Sequence, residues 1–170
     1  MSHSQLVRLR AIEPEDLDIL YRIENDYELW EVGVNNVPYS RYMLHDYVAH
    51  AKGDIYTDLQ VRLMIENLQH EVVGIVDMTN FDPQHRRAEI GITIIAEHRR
   101  KGYTKAAIHD ICHYALSTLH LNQLYAIVAE DNIPSIHLFL KEGFEQQAIL
   151  KNWLFNGKEY KNAVFLQFFL

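Results

Sequence analysis

The first forty residues alternate between polar and apolar positions in two different periods. Residues 6–10 read Leu-Val-Arg-Leu-Arg, which is the pattern of a strand with one buried face. Pro14 is followed by two carboxylates, and both features favour the first turn of a helix. We expect this helix to run to about residue 27. A second helix is predicted from Ser40, a suitable cap, to Gly53.

Beyond residue 58 the hydrophobic period becomes that of strands. Segments 59–66, 72–80 and 87–96 are predicted as three strands, the first two of them joined by a polar turn. One face of the third strand carries isoleucines and the other carries polar or small residues. These are Ile90, Ile92 and Ile94 on the first face, and Glu89, Gly91 and Thr93 on the second.

The second half of the chain alternates between helical and extended patterns. A helix is predicted from about Gly102, because Ile108, Ile111 and Ala115 recur on one stripe. A short apolar strand over 124–129 and a helix over 132–141 follow.

Two final strands, over 144–155 and 160–170, flank Asn156-Gly157, a dipeptide typical of hairpin turns. The predicted fold class is therefore α+β (mixed α/β), with a central mixed, twisted sheet of about seven strands and about four flanking helices. Its element order is β-α-α-β-β-β-α-β-α-β-β.

Composition narrows the range of functions. The chain has 170 residues, of which 48% are hydrophobic and 23% charged, as in packed globular proteins, so we expect one domain over 1–170. A net charge of −7 disfavours binding to nucleic acids and suits cationic partners such as amines. Cys112 is the one cysteine, which excludes an intrachain disulfide. No signal peptide or membrane span is indicated, so a cytoplasmic location and no membrane partner are expected.

A basic turn separates the third of these strands from the following helix. Three consecutive cations, Arg99-Arg100-Lys101, precede Gly102 at the predicted helix start. Free backbone N–H groups and the positive end of the helix dipole make such a turn an anion site. The alternative is a solvated turn that only ends the strand. The patterns of a P-loop and of a dinucleotide-binding fingerprint are both absent from the sequence.

Two motifs resemble those of a known family. Residues 99–104 resemble the Q/R-x-x-G-x-G/A motif of the GCN5-related N-acetyltransferases, which binds the pyrophosphate of acetyl-CoA. About thirty residues later, residues 130–144 resemble the family's second signature, N-x-x-S-x-x-L/F-[YF]-x-x-x-G-F. Leu9-Arg10-Ala11, Glu15-Asp16 and Trp30 point to the branch of the ribosomal-protein and spermidine acetyltransferases.

The resemblance implies roles for particular residues. The strand before the turn would offer backbone groups of Ile92, Thr93 and Ile94 to the pantetheine arm, with a bulge in that strand aiming an N–H at the thioester carbonyl. The turn would hold the pyrophosphate. The implied cofactor-binding residues there are Arg99, Arg100, Lys101, Gly102, Tyr103, Thr104 and Lys105, and those from the second signature are Asn132, Ser135 and Phe139.

The sequence departs from the family pattern at three places. Thr104 replaces a small Gly or Ala. Phe139 stands where many members have a tyrosine that protonates coenzyme A, so water or another tyrosine would replace it. Residues 35–39 lack the paired glutamates that contribute to an allosteric polyamine site in the spermidine enzymes. This last departure weakens the case for polyamine allostery and for a polyamine substrate.

Glu89 is the candidate catalytic base, because related enzymes use a carboxylate at this position to accept the amine proton, often through water. The alternative is a glutamate that only faces solvent. Glu130 and Asp131 are weaker candidates. Aromatic residues around the first two helices would form either the acceptor pocket or an interhelix core. These residues are Tyr27, Trp30, Tyr39 and Tyr42.

Neither a metal centre nor a cysteine nucleophile is expected. His109 and His113 are spaced by four residues on one helix, but no third ligand is evident, so a surface pair is favoured. Cys112 belongs to the apolar stripe, which favours a packed thiol.

The sequence thus predicts an acetyl-CoA-dependent N-acetyltransferase that acts by direct transfer in a ternary complex. The acceptor is a primary amine, with a polyamine-like small molecule favoured over a protein N-terminus. A coenzyme A-binding module without catalysis remains the alternative from another class, because Phe139 removes the usual acid. A homodimer is expected from the family.

Overall fold

The computed structural model describes residues 6–26, 37–50 and 53–170. Within these ranges the chain forms seven strands, five α-helices and two 3-10 turns, the latter at Pro14–Asp16 and Ala96–His98. The strands are β1 (Val7–Arg10), β2 (Val61–Asn67), β3 (Val72–Asp82), β4 (Arg87–Ile94), β5 (Gln123–Ala129), β6 (Glu145–Phe155) and β7 (Tyr160–Phe169). The helices are α1 (Leu17–Glu24), α2 (Arg41–His50), α3 (Ile55–Asp58), α4 (Tyr103–Ser117) and α5 (Ile133–Lys141).

All seven strands belong to one mixed sheet, in the order β1-β2-β3-β4-β5-β7-β6. Every neighbouring pair is antiparallel except β4 and β5, which run parallel. A parallel pair needs a long crossover connection, and α4 supplies it. The predicted fold class and strand number are confirmed.

Helices cover both faces of the sheet. The main core lies under α4, whose side chains Ile108, Ile111 and Ala115 are buried against the strands as the periodicity predicted. A smaller core on the opposite face joins Ile23 of α1 to Met64. The parallel pair β4–β5 lies near the middle of the sheet.

Two local features differ from the sequence prediction, the helix α3 and the end of β4. The short helix α3 was not predicted; Asp54 begins it by accepting a hydrogen bond from Tyr56 N at 3.0 Å. The 3-10 turn Ala96–His98 follows β4, where the strand was expected to continue to residue 96. The β6–β7 loop consists of residues 156–159, as the predicted strand bounds imply, and in it the Asn156 side chain accepts from the N–H groups of both Lys158 and Glu159.

A buried ion network joins β1, β2 and the first 3-10 turn. The Arg10 guanidinium donates to both oxygens of Asp16 at 2.7 and 2.9 Å and to Glu66 at 2.6 Å. Burial opposes ionisation of Asp16, but the bonds from Arg10 outweigh it and the pKa of Asp16 lies below its usual value. The pKa of Glu66 is also lowered, first by its bond from Arg10. The network fixes the first 3-10 turn to strands β1 and β2.

None of the helices in the described ranges is long and apolar enough to cross a membrane.

Candidate active site

Strands β4 and β5 separate shortly after they meet. Their parallel register includes only the pairs Arg87–Gln123, Ala88–Leu124 and Glu89–Tyr125, although β4 continues for five more residues and β5 for four. The last five residues of β4 extend over about 17 Å at the usual rise of a strand. The β4 edge that faces β5 is therefore free to pair with another extended chain along this length.

The register of β4 with β3 shows which backbone groups face this gap. Ile95 N donates to Val73 O at 2.9 Å, and hydrogen-bonded pairs recur at every second residue of an antiparallel ladder. Thr93 therefore bonds toward β3, whereas Ile92 and Ile94 direct their N–H and C=O groups toward the gap. An extended chain with amide groups could bond to these two residues.

Two expectations about this strand are wrong. The register of β3 with β4 is continuous from Glu89 to Ile94, so the expected bulge is absent there, and the shift lies instead between Thr79 and Asp82. Thr93 cannot lend its backbone groups to the gap, because they pair with Ile75. Separation of the strands exposes the β4 edge without a bulge.

The turn between β4 and α4 presents a row of free N–H groups. Arg100 and Gly102 both have positive φ, at 63° and 84°. The first amide bonded into the helix is that of Ala106, which donates to Gly102 O at 3.2 Å. The N–H groups of residues 100–105 donate to no described residue. Together with the dipole of α4, they form an anion site.

The cations of this turn have different environments. Arg99 Nε donates to Ile94 O at 3.1 Å, so this side chain holds the turn against the end of β4. Arg100 and Lys101 are exposed. Lys105 lies 4.0 Å from the Glu142 carboxylate. Tyr103 and Thr104, which lie between Gly102 and Lys105, are half-buried in the first turn of α4.

Glu89 lies at the point where β4 and β5 separate. It is half-buried, and its Oε2 accepts a hydrogen bond from Asn80 Nδ2 at 2.8 Å. Tyr125 is opposite it on β5, and burial followed by the Glu89 charge raises the pKa of the Tyr125 hydroxyl. The carboxylate is thus held at the closed end of the gap, where it can accept a proton.

The other two acidic candidates belong to a different place. Glu130 accepts from Asn162 Nδ2 at 2.9 Å, and Asp131 pairs with Lys161. Both line an open depression of about 540 Å³ beside the β6–β7 hairpin. They are already engaged with β7, and neither is paired across the β4–β5 gap.

The second signature forms a helix start and a core contact. Asn132 caps α5, since its side-chain oxygen accepts from Ser135 N at 3.3 Å. Phe139 is 4% exposed and its ring contacts Phe144 edge-to-face at 4.9 Å. The contacts of Asn132, Ser135 and Phe139 with a cofactor remain predictions, and burial leaves Phe139 little surface for one.

The predicted aromatic pocket is only partly described. Tyr27 and Trp30 lie outside the described residues. Tyr39 is half-buried and its backbone N–H donates to Asn25 Oδ1 at 2.9 Å, whereas Tyr42 is 79% exposed. Tyr39 and Tyr42 therefore do not form a shared buried surface, and their role in a pocket remains a prediction.

Sequence reasoning missed a charged network on the same face as Glu89. Arg62 donates to both oxygens of Asp77, at 2.6 and 3.0 Å, and also to Glu24 of α1. Burial lowers the pKa of Arg62, but these two carboxylates outweigh that effect and raise it. Asp77 is opposite Gly91, two residues or about 7 Å along β4 from Glu89. We call Glu24, Asp77 and Glu89 the acidic face.

Comparison of the chain with models of known protein families shows which family it belongs to. The model for the acetyltransferase (GNAT) domain matches residues 7–145, which include β1 to β5 and the turn at Gly102. The chain belongs to the GNAT family. It is an acetyl-CoA-dependent N-acetyltransferase, as the two sequence motifs predicted, and acetyl-CoA is its cosubstrate.

Individual relatives give the same result over nearly the whole chain. The spermidine N(1)-acetyltransferase of Escherichia coli (strain K12) is 29% identical over 168 residues, which cover 96% of this chain and 86% of that protein. The crystal structure of spermidine N-acetyltransferase from Vibrio cholerae with CoA and spermine has a TM-score of 0.88 at 27% identity, covering 98% of this chain and 96% of that one. A dodecameric structure of the Vibrio cholerae enzyme, in an intermediate state, has a TM-score of 0.81 at 27% identity, covering 98% and 95%.

The residues of this GNAT protein fit acetyl-CoA. A pyrophosphate needs N–H donors and positive charge, which residues 100–105 offer. An amide-containing arm needs unpaired groups on a strand edge, which Ile92 and the N–H of Ile94 offer, whereas Ile94 O already accepts from Arg99. Among the described residues no group of three or more His, Cys, Asp or Glu side chains is arranged to hold a metal ion.

Proposed function

We propose that this GNAT enzyme acetylates a primary amine of a small, polyamine-like molecule by direct attack in a ternary complex. The observation that carries the proposal is the position of Glu89 at the closed end of the β4–β5 gap, on the acidic face. Such a molecule would be held by its other ammonium groups, which place the nitrogen that is acetylated. The acidic face supplies carboxylates near which those ammonium groups can lie.

The cosubstrate site would be formed by three parts of the chain. The N–H groups and cations of residues 99–105 would hold the pyrophosphate, and Ile92 and Ile94 would bond the pantetheine arm. The side-chain amide of Asn132, together with Ser135 and Phe139 on α5, would border the other side of the gap. When bound, acetyl-CoA supplies an acetyl group activated as a thioester. Residues of β4 would orient it toward Glu89.

Proton transfer is the main chemical task left to the protein. An amine is protonated at neutral pH and attacks only after losing that proton, so a base raises the reactive fraction. Glu89 would accept the proton, directly or through one water. Phe139 cannot supply a proton to the leaving thiolate, but thiols are far more acidic than alcohols (a cysteine thiol has a pKa of about 8.5), so the thiolate leaves readily and solvent suffices to protonate it.

The acidic face favours a polycationic acceptor. Two carboxylates share the single Arg62 guanidinium, and Glu89 adds a third carboxylate about 7 Å along the sheet. A protein N-terminus has one positive charge and is the second candidate acceptor. The spermidine relatives support the first, although this chain lacks the paired glutamates before Pro38.

An amine panel tests the acceptor. Release of free thiol from acetyl-CoA is measured with spermine, spermidine, putrescine, lysine and peptides with free N-termini. We expect kcat/KM to rise with the number of positive charges of the amine. Turnover with peptides alone would favour the N-terminal acetyltransferase, and binding of acetyl-CoA without any turnover would favour the non-catalytic module.

We also propose that the chain acts in the cytoplasm as one domain over residues 1–170 and that copies of it associate. The β6 edge of the sheet has large exposed apolar side chains, namely Ile149, Trp153 and Phe155, and the Vibrio cholerae relative forms a dodecamer. Light scattering after size exclusion tests this. A monomer at micromolar concentration would contradict the association.

A further inference from the structure

Asn80 lies at an irregular point of β3, opposite the first residues of β4. The register between the two strands shifts between Thr79 and Asp82, and Asn80 has a φ of 49°. Few residues other than glycine adopt this conformation readily, and asparagine is one of them. The local backbone turns the Asn80 side chain toward Glu89, and Asn80 Nδ2 donates to Glu89 Oε2 at 2.8 Å.

This contact has little structural use. Asn80 is exposed, and an exposed side-chain hydrogen bond contributes little to folding because water competes for both groups. Glycine would satisfy the backbone conformation equally well. What asparagine adds is an N–H donor that reaches one specific oxygen of Glu89.

We propose that Asn80 is a positioning residue for Glu89. Its amide holds Oε2, which leaves Oε1 to accept the proton from the amine; Oε1 accepts from no described residue. In this step an N–H bond of the ammonium group breaks, its electron pair stays on nitrogen, and an O–H bond forms at Oε1. The inference rests on the proposed function, in which Glu89 is the base.

The surroundings of the pair favour a fixed carboxylate. Tyr125 approaches from β5, and its hydroxyl also hydrogen-bonds to the Asn80 side chain, so Asn80 contacts both Glu89 and the phenol beside it. Asp82 and Arg87, whose charges also act on Tyr125, pair with each other at 3.3 Å. Without the amide, the Glu89 side chain would be free to rotate between these neighbours, and misplacement of a catalytic group by about 1 Å can cost about a hundredfold in rate.

Two substitutions separate positioning from structure. Asn80→Gly keeps the positive φ and removes the amide, and we expect kcat to fall about tenfold to a hundredfold with KM for acetyl-CoA unchanged. Asn80→Asp places a second carboxylate beside Glu89, so one proton would be shared and the acidic limb of the kcat/KM profile should move to higher pH. Asn152→Gly is the matched control, because Asn152 has a φ of 50° on the distant strand β6.

A double-mutant cycle with Glu89→Gln decides the question. If Asn80 acts through Glu89, Asn80→Gly has no further effect on kcat once Glu89 is glutamine. An equal loss in both backgrounds would make Asn80 structural and overturn the proposal. Unchanged kinetics of Asn80→Gly beside a slow Glu89→Gln variant would overturn the role of Asn80 alone. A Glu89→Gln variant as fast as wild type would overturn both the base assignment and this inference.

Discussion

Arg99 and Ile94 are joined across the end of β4, where the guanidinium Nε of one donates to the carbonyl oxygen of the other at 3.1 Å. The first cation of the pyrophosphate motif thus holds the turn in position, while the N–H groups of residues 100–105 donate to no residue that the structure describes. Pyrophosphate binding at this site depends on backbone geometry, and the charges of Arg100 and Lys101 add to it.

Gly102→Asp should abolish the binding of acetyl-CoA. The residue has a φ of 84°, which strains any side chain, and a carboxylate beside the free N–H groups would repel the pyrophosphate. In the wild type, ligand at about 100 times its dissociation constant should stabilise the fold by about 2.7 kcal/mol, measured as a thermal shift. Gly157→Asp, at a φ of 91° in the β6–β7 loop, is the control that should keep the full shift.

Glu89→Gln should lower kcat about 10²- to 10⁴-fold at neutral pH, which is the usual effect of losing a general base. The deficit should shrink as pH rises, because the free amine is then already neutral. A pH–rate profile with one amine measures this. Glu130→Gln serves as the control, since Glu130 is bonded to Asn162 beside the β6–β7 hairpin. If both variants follow the wild-type profile, the proton leaves through another group.

Asn132 has a structural role that the sequence alone could not separate from cofactor binding. Asn132→Ala removes the cap of α5 and should cost about 0.5–2 kcal/mol of unfolding free energy. Asn132→Asp keeps an oxygen that can accept from Ser135 N, but it loses the side-chain N–H₂ and gains a negative charge, so Asn132→Ser, which keeps a capping oxygen without a charge, is measured beside it. A raised KM for acetyl-CoA in Asn132→Asp, with an unchanged melting temperature, is expected if the amide binds the cosubstrate. Unaltered kinetics would leave Asn132 as a cap only.

Gly74→Ala should destabilise the sheet next to the site. A Cβ on Gly74 would lie 2.2 Å from Thr93 O, which is backbone and cannot move aside, so we expect a loss of about 1–3 kcal/mol or more. Gly91→Ala is the matched control in the neighbouring strand, because a Cβ there meets nothing within 4 Å. Urea unfolding of the two variants makes the comparison, and equal midpoints would contradict it.

Arg10→Gln should lower the free energy of unfolding at pH 7 and should make that free energy less sensitive to acid. The pKa values of Asp16 and Glu66 are lower in the folded protein than in the unfolded chain, where they are about 4. Their contribution to the free energy of unfolding is therefore complete at pH values above about 4 and is lost as pH falls through the folded-state pKa values. Breaking the network should cost up to about 3 kcal/mol at pH 7, the low end for buried pairs, since Arg10 is 21% exposed.

Urea midpoints at pH 7 and pH 3 test this. The difference between them should be smaller in Arg10→Gln than in the wild type. Arg22→Gln, which removes an exposed pair with Glu97, should leave both midpoints nearly unchanged. An Arg10→Gln difference as large as that of the wild type would assign the acid dependence to other carboxylates.

The sequence predicted the elements because hydrophobic period is local, as in the α4 stripe that contains Ile111. It could not predict which way Thr93 directs its backbone, since this depends on register with a strand about twenty residues earlier. The contacts of Arg62 with Asp77 and Glu24 join three elements and leave no periodic trace. The Asn80–Glu89 bond depends on a single irregular residue, which no pattern of strand positions indicates.

The short parallel ladder between β4 and β5 leaves part of the sheet without backbone hydrogen bonds between its two halves. Three residue pairs, from Arg87 to Glu89 on β4, join the halves, and beyond them the β4 edge is open to an extended ligand. An extended amide ligand lying in the gap would act as a temporary eighth strand. Ligand binding and the stability of the sheet are then linked. The free energy of unfolding should be greatest while acetyl-CoA is bound and should fall each time coenzyme A dissociates at the end of a turnover.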